Sequence, residues 1–289
     1  MHFTEAKSLL SRYNGMNLYR GCAHGCVYCD SRSTCYQFTH AFEDIEVKQN
    51  APELLEEILR KRRKKCVIST GSMSDPYQPC ERDLLLTRRC LELLDRYGFG
   101  ASVITKSDLV LRDLDLFDSI NRKAKSVLQM TLTVSDEALS RILEPGVCTS
   151  ARRYEVLKAF QRRDIPTVVW MTPLLPFLTD TEENVRQILD WCFDAGVKGI
   201  VCFGAGLTLR DGNREYFYRA LDRHFPGLSD RYRRTYANAY ECSSPRAPAL
   251  LRLFHDSCER YGVLHDPEAC FRYLAAWPEN TGQLSLFDE

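Results

Sequence analysis

"FGASVITKSDLVLRDLDLFDSINRKAKSVLQMTLT", residues 99–133, packs three elements into one short run. "FGASVIT", 99–105, is continuously small or apolar, as a strand buried on both faces must be. "LVLRDLDLFDSINRK", 109–123, returns its apolar residues at helical spacing. "SVLQMTLT", 126–133, is a second strand. Two strands joined through a helix are parallel neighbours, because a hairpin has no room for the crossover.

Outward from that run the rhythm repeats. Upstream lie a strand around "YNGMNLYR" (13–20), a helix at 51–65 with Pro52 near its start, the strand "CVIST" (66–70) and a helix at 81–98 that stops at Gly98. Downstream come a helix at 150–164, a strand at 166–174, a helix at 181–196 and a strand at 198–204. Six strand–helix units end near residue 205, too few for a full eight-stranded barrel. A partial barrel and a doubly wound sheet both fit, and in either the loops leaving the strand C-termini build the site. Beyond 205 three helices are expected, at 213–225, 247–262 and 266–277. The expected organisation is a barrel over 1–205, a helical extension over 206–279 and a short flexible tail over 280–289.

The chain has 289 residues, 44% of them apolar, which suffices for one large core. Its 39 basic and 39 acidic residues cancel, so net charge points to neither nucleic acid nor membrane. No apolar run is long enough to cross a bilayer and no signal layout opens the chain, so a cytoplasmic protein with no membrane partner is expected. Thirteen cysteines, an odd number in a long chain, do not read as a disulfide framework. Three of them cluster, Cys22, Cys26 and Cys29, in "GCAHGCVYC" (21–29). A loop so rich in Gly, His and Asp is no place for core cysteines. Two readings stand: an iron–sulfur cluster held by three thiolates with one iron open, or zinc with a fourth ligand from Cys35, His24 or His40.

The C-x3-C-x2-C spacing, with Tyr28 before the third cysteine, resembles the signature of the radical S-adenosylmethionine superfamily. With "STGSMSDPYQPCE" (69–81), "VITKS" (103–107), "LTVSDEALSRILEPG" (132–146) and "TPLLPFLTD" (172–180), the chain resembles the spore photoproduct lyase-like branch, also called DNA repair photolyase-like. That resemblance implies a partial (β/α)6 TIM-type barrel with a C-terminal helical extension. It implies a 4Fe-4S cluster on the three cysteines, S-adenosyl-L-methionine as cofactor, and a lyase or hydrogen-abstracting activity. It also implies a flavodoxin or ferredoxin as electron donor, and a nucleic acid base or lesion as substrate. Radical modification of a peptide or small metabolite is the alternative chemistry, and a zinc-stabilised interaction protein the non-enzymatic one.

Carried across by position, Ser72, Ser74 and Asp75 end the second strand, where the cofactor's amino acid end is held. Lys106 stands where a lysine meets the cofactor carboxylate, and Thr131 and Thr133 end the fourth strand within reach of ribose or carboxylate. Glu144 and Arg153 are read as a pair bracing a loop. Two departures concern catalysis. The branch's hydrogen-returning cysteine falls at Ser72, whose O–H bond is too strong for that task, so Cys80 on the same loop is the candidate donor. Of two flanking tyrosines only Tyr28 is present, with Asp30 in place of the other.

"RKRRKK" (60–65) ends a helix on the face opposite the cluster, where basic residues favour the helix dipole. Tyr232, Tyr236 and Tyr240 are four apart and read as one helical face that docks the extension. The tail ends in "QLSLF": Gln283, Leu284, Ser285, Leu286 and Phe287 resemble the peptide by which bacterial repair proteins bind the sliding clamp, and imply recruitment to DNA.

Overall fold

A computed structural model describes residues 1–71 and 73–278 of the chain. Its centre is one six-stranded, all-parallel sheet: β1 Gly15–Met16, β2 Val67–Thr70, β3 Gly100–Thr105, β4 Ser126–Thr131, β5 Thr167–Trp170 and β6 Gly199–Val201. The spatial order is the chain order, from β1 to β6 with no reversal. A doubly wound sheet reverses direction at a switch point. This sheet never does, so every crossover places its helix on the same face and the sheet curls into a partial barrel. That resolves the two architectures left open by strand counting.

Alternation along the strands separates the two faces. In β4, Leu128 and Met130 join the main core against the outer helices, where Phe117, Phe160 and Ile188 are fully buried. Val127 faces inward and packs with Val168, Val201, Cys270 and Leu274. Polar residues form a layer on the same inner face: Gln129 donates to Ser102 (2.9 Å) and accepts from the Trp170 indole (2.8 Å). The last helix, Pro267–Ala275, supplies Cys270 and Leu274 to this interior. Gly199 permits that approach, since a Cβ there would lie 3.0 Å from Cys270 Sγ and 3.2 Å from Leu264. Beside β6, Leu264 adds one more parallel bridge to Gly199.

Several expected elements are subdivided. The strand at 13–20 splits, Gly15–Met16 joining the barrel and Tyr19–Arg20 entering a small sheet with His2–Thr4 and Glu46–Lys48. The helix at 81–98 breaks at Leu85, which adopts a positive φ of 53°. Beyond residue 205 the chain forms a hairpin pair, Gly206–Thr208 with Glu241–Ser243, that encloses helices Asn213–His224 and Leu228–Tyr236. Tyr232 and Tyr236 share a helical face, their rings 5.5 Å apart. Tyr240 does not: Ala237, at φ 47°, ends the helix, and Tyr240 instead meets Arg210. Arg60 and Lys61 pair with Glu56 and Glu57 one turn back, as a solvated helix end. Among the described residues no helix is long and apolar enough to cross a membrane. The residues of the clamp-like motif, 283–287, lie outside the described chain.

Candidate active site

The loops that leave the C-terminal ends of the strands converge on one cavity of about 700 Å³. Cys22, Cys26 and Cys29 all line it, together with Tyr28, Ser74, Asp75, Lys106, Thr131, Trp170 and Phe203. The volume falls in the upper half of the range for small-molecule sites, about 300–1,000 Å³.

The cysteine loop is held by its backbone from several sides. Cys22 N donates to Phe42 O (3.1 Å), Val27 N to Leu143 O (2.9 Å), and Gly146 N to His24 O (2.9 Å). Ala23 N donates to the fully buried Gln78 side chain (3.1 Å). Gly21, at φ 85°, starts the loop, and a Cβ there would sit 2.4 Å from Phe42 O. A loop fixed this firmly presents its thiols without needing their own contacts to shape it.

The thiols are chemically unbalanced as they stand. Burial pushes the Cys26 and Cys29 thiols up, against the opposing pull of Lys106. Burial also disfavours the Cys22 thiolate, but the neighbouring His24 overrides it and holds that thiol below its ordinary range. Three thiols converging on one space, Cys26 buried and Cys22 and Cys29 half-buried, are a donor set for a soft metal cation, which deprotonates them.

Asp75 organises the opposite wall. Its carboxylate accepts from Tyr77 N (2.8 Å), Thr105 Oγ1 (2.7 Å) and Lys106 N (2.8 Å), and lies 3.4 Å from His24 Nδ1. Burial opposes its charge, but His24 and these donors bring its pKa down to about 2. His24 is driven the other way: burial opposes its cation, yet Asp75 and Cys22 raise it to about 10. His24 thus pairs with Asp75 across the base of the cysteine loop. Asp75 in turn fixes the backbone of Lys106. The Lys106 side chain is half-buried, and burial works against its charge, but Cys26 and Glu144 raise its pKa. No carboxylate lies within 4.0 Å of its ammonium among the described residues, so it faces the cavity as an unpaired cation.

The other expected residues fall into two groups. Ser74 lines the cavity while its hydroxyl donates to Tyr19 O (2.8 Å). Thr131 also lines it. Tyr28 contributes its ring, but its hydroxyl donates to Glu144 and lies 3.4 Å from Thr133 Oγ1. Thr133 and Cys80 are not part of the cavity wall. Thr133 is buried against Tyr28, and Cys80 packs on the main core, where burial and Glu81 push its thiol up to about 11. Ser72 lies outside the described residues. Cys35 and His40 do not line the cavity either; Cys35 accepts from Arg210 at 3.3 Å.

An aromatic group went unread in the sequence. Trp170, Phe203 and Phe271 stand 5.8–6.1 Å apart, ring centre to ring centre. Phe203 is 61% exposed although it is a cavity residue, and Phe271 is 41% exposed. Glu241 and Ser243 of the hairpin border the same cavity.

Comparisons with known proteins agree with this geometry. The sequence profile of the radical SAM superfamily matches residues 16–192. An uncharacterized protein of Mycobacterium tuberculosis is 33% identical over 244 residues, covering 80% of this chain and 69% of that protein. An uncharacterized protein of Methanocaldococcus jannaschii is 34% identical over 176 residues, covering 60% of this chain and 64% of that protein. Among solved structures, spore photoproduct lyase complexed with dinucleoside spore photoproduct superposes with a TM-score of 0.59 at 13% identity, over 86% of this chain and 74% of that one. A cysteine-to-alanine mutant of that lyase with the same dinucleoside gives 0.61 at 14% identity over the same shares. The shared fold is that of spore photoproduct lyase.

Proposed function

Because the chain belongs to the radical SAM superfamily, and so uses a 4Fe-4S cluster and S-adenosyl-L-methionine, we propose that Cys22, Cys26 and Cys29 hold the cluster and that a nucleobase is the substrate. The observation that carries this reading is the convergence on one cavity of three thiols, the unpaired Lys106 and an exposed aromatic wall. When bound, the two cofactors supply a 5′-deoxyadenosyl radical that abstracts hydrogen from substrate.

The chain's own residues then have separable tasks. Held by these three cysteines, a cluster would keep one iron free of protein ligands, and that position would take the methionine end of the cofactor. Lys106 meets the cofactor carboxylate, a charge-assisted contact that also gives the ammonium a counter-ion. Asp75 holds the Lys106 backbone, and Ser74 and Thr131 complete the wall around the cofactor. Tyr28 orients the third cysteine through its bond to Glu144. Phe203 and Trp170 offer faces to a planar ring, and the Trp170 ring is locked by its bond to Gln129. The Glu241 carboxylate at the rim accepts from an N–H such as a base edge carries.

The hydrogen source for the product radical is a point of difference from a Cys80 donor. Cys80 is not among the residues that line the cavity, so in this reading the donor is the cofactor product itself or an external thiol. Recruitment to DNA through Gln283–Phe287 and the sliding clamp, and a flavodoxin or ferredoxin as reductant, rest on the sequence alone.

Anaerobic reconstitution followed by dithionite reduction tests the reading. The reduced protein cleaves S-adenosylmethionine to 5′-deoxyadenosine, and deuterium from a labelled nucleoside or oligonucleotide enters that product. Label entering only from peptides or small metabolites would transfer the site to the alternative substrate class.

A further inference from the structure

A second group of ligand-type side chains lies in the small sheet, apart from the cavity. His2–Thr4 runs parallel to Glu46–Lys48, with His2 opposite Glu46. Side chains two apart share a face of a strand, so His2 and Thr4 point the same way and Phe3 the other. His40 arrives from the preceding loop and sets its ring edge-on to His2, centroids 4.8 Å apart. Donor atoms of His2, His40 and Glu46 all come within 4.8 Å of one another.

Each of the three has its other polar atom already engaged. His40 Nδ1 lies 2.9 Å from Ala41 O. A carbonyl only accepts, so Nδ1 carries the proton and Nε2 presents a lone pair. That Nε2 is buried and has no hydrogen-bond partner. Its nearest carboxylate oxygen, Glu46 Oε2, is 3.7 Å away, too far to bond and near enough to share an ion. His2 Nδ1 lies 3.0 Å from Asp44 Oδ2, which leaves its Nε2 free. Glu46 Oε1 accepts from Thr4 Oγ1 at 3.3 Å. A carboxylate or carbonyl on the far nitrogen of each imidazole is the outer-shell pattern that orients histidine toward a metal. Phe38, edge-on to both His40 and Phe42, shields one side.

We propose that His2, His40 and Glu46 bind one divalent transition-metal ion, zinc being the matching probe for two imidazoles and a carboxylate, with water as fourth ligand. The ion ties the first strand to the loop and strand that support the cysteines. Glu46 lies opposite Arg20, two residues before Cys22, and Cys22 N is bonded to Phe42 O in the same loop. It therefore acts on the cluster loop from behind, as a structural brace. The site is independent of the proposed reaction and stands or falls separately from it.

The test uses the full chain with its iron–sulfur cluster already assembled anaerobically, so that the cysteines are occupied. Zinc is added, excess is removed by gel filtration, and metals are counted. One zinc per chain is expected beside the iron, with X-ray absorption showing only N/O neighbours at about 2.0–2.1 Å and no sulfur at about 2.3 Å. His40→Gln and His2→Gln are each expected to lose the zinc and keep the iron. Asp44→Asn, an outer partner, weakens zinc binding about 10- to 100-fold. Iron content and circular dichroism report folding, and Asp44→Asn gives an independent reading should His40→Gln misfold. Zinc absent from the wild-type chain, sulfur in its shell, or zinc retained by both histidine variants overturns the site.

Discussion

Arg153 and Glu144 form a 2.5 Å ion pair in which neither side chain reaches solvent. Arg153 also donates to Thr131 O (3.1 Å) and Cys148 O (2.7 Å), and Glu144 accepts from Tyr28. One pair thus links the end of β4, the loop at 144–148 and the cysteine loop. Removing one partner strands a buried charge, a loss of about 3–5 kcal/mol. Glu144→Gln is expected to lower apo-protein stability by that order in urea titrations. The pH response has a definite sign. Burial opposes the Glu144 charge, but Arg153 and Lys106 hold its pKa below the ordinary 4.5. A depressed carboxylate contributes stability above about pH 4.5 that is lost as pH falls through its folded value. The variant's stability should therefore fall less steeply than wild type below pH 4.5; parallel curves would deny the pair its role.

Lys106 is a cation held in place without a counter-ion. Lys106→Met is expected to leave iron content unchanged and to weaken S-adenosylmethionine binding about 10- to 100-fold, the worth of one charge-assisted hydrogen bond. Binding titrations on the reconstituted enzyme measure this. Unchanged affinity would mean that the carboxylate is held elsewhere.

Cys26 is the most enclosed of the three cysteines proposed to hold the cluster, and burial pushes its thiol up. Cys26→Ala should abolish the brown chromophore and the cleavage of S-adenosylmethionine together, while the apo-protein melts near the wild-type temperature. Full cleavage by the variant would remove the cysteine from the ligand set.

The distance between Gly199 and Cys270 sets the position of the last helix inside the barrel. Gly199→Ala puts a methyl 3.0 Å from a sulfur and 3.2 Å from Leu264. Overpacking of this kind costs about 1–3 kcal/mol. The expected outcome is a lowered melting temperature and faster proteolysis at the C-terminal helix, with cluster content retained.

What the sequence disclosed depended on whether the signal was local. The six strands and the cysteine loop were legible because burial on both faces and C-x3-C-x2-C spacing are local patterns. The pairing of Glu144 with Arg153 was legible too, because the two close one short loop. Strand order was not, since parallel neighbours leave no mark on periodicity; the unreversed order emerged only in space. Thr133 and Thr131 have the same parity in the sequence. The strand ends at Thr131, however, and past its end Thr133 turns to Tyr28. Tyr240 lost its helical face to a positive φ at Ala237, a residue with no turn signature. Trp170, Phe203 and Phe271 come from three separate segments, so no window of sequence could unite them. His40, weighed as a partner for the cysteines, belongs with His2 and Glu46 for the same reason.

The aromatic wall separates substrate binding from cofactor chemistry. Phe203 is exposed in the cavity and makes no bond that the fold needs, so its truncation should leave the barrel and cluster intact. Phe203→Ala is expected to retain the uncoupled cleavage of S-adenosylmethionine and to lose about 1–3 kcal/mol of substrate binding, the worth of one base–aromatic stack. That corresponds to a rise in substrate KM of roughly 5- to 150-fold at 25 °C. Phe203→Tyr, which keeps the ring, should restore binding. The comparison is made on substrate-dependent deuterium transfer into 5′-deoxyadenosine, with substrate-independent cleavage as the internal control. Should alanine and tyrosine variants transfer label equally well, the ring at 203 has no part in holding substrate, and the planar-base reading loses its principal contact.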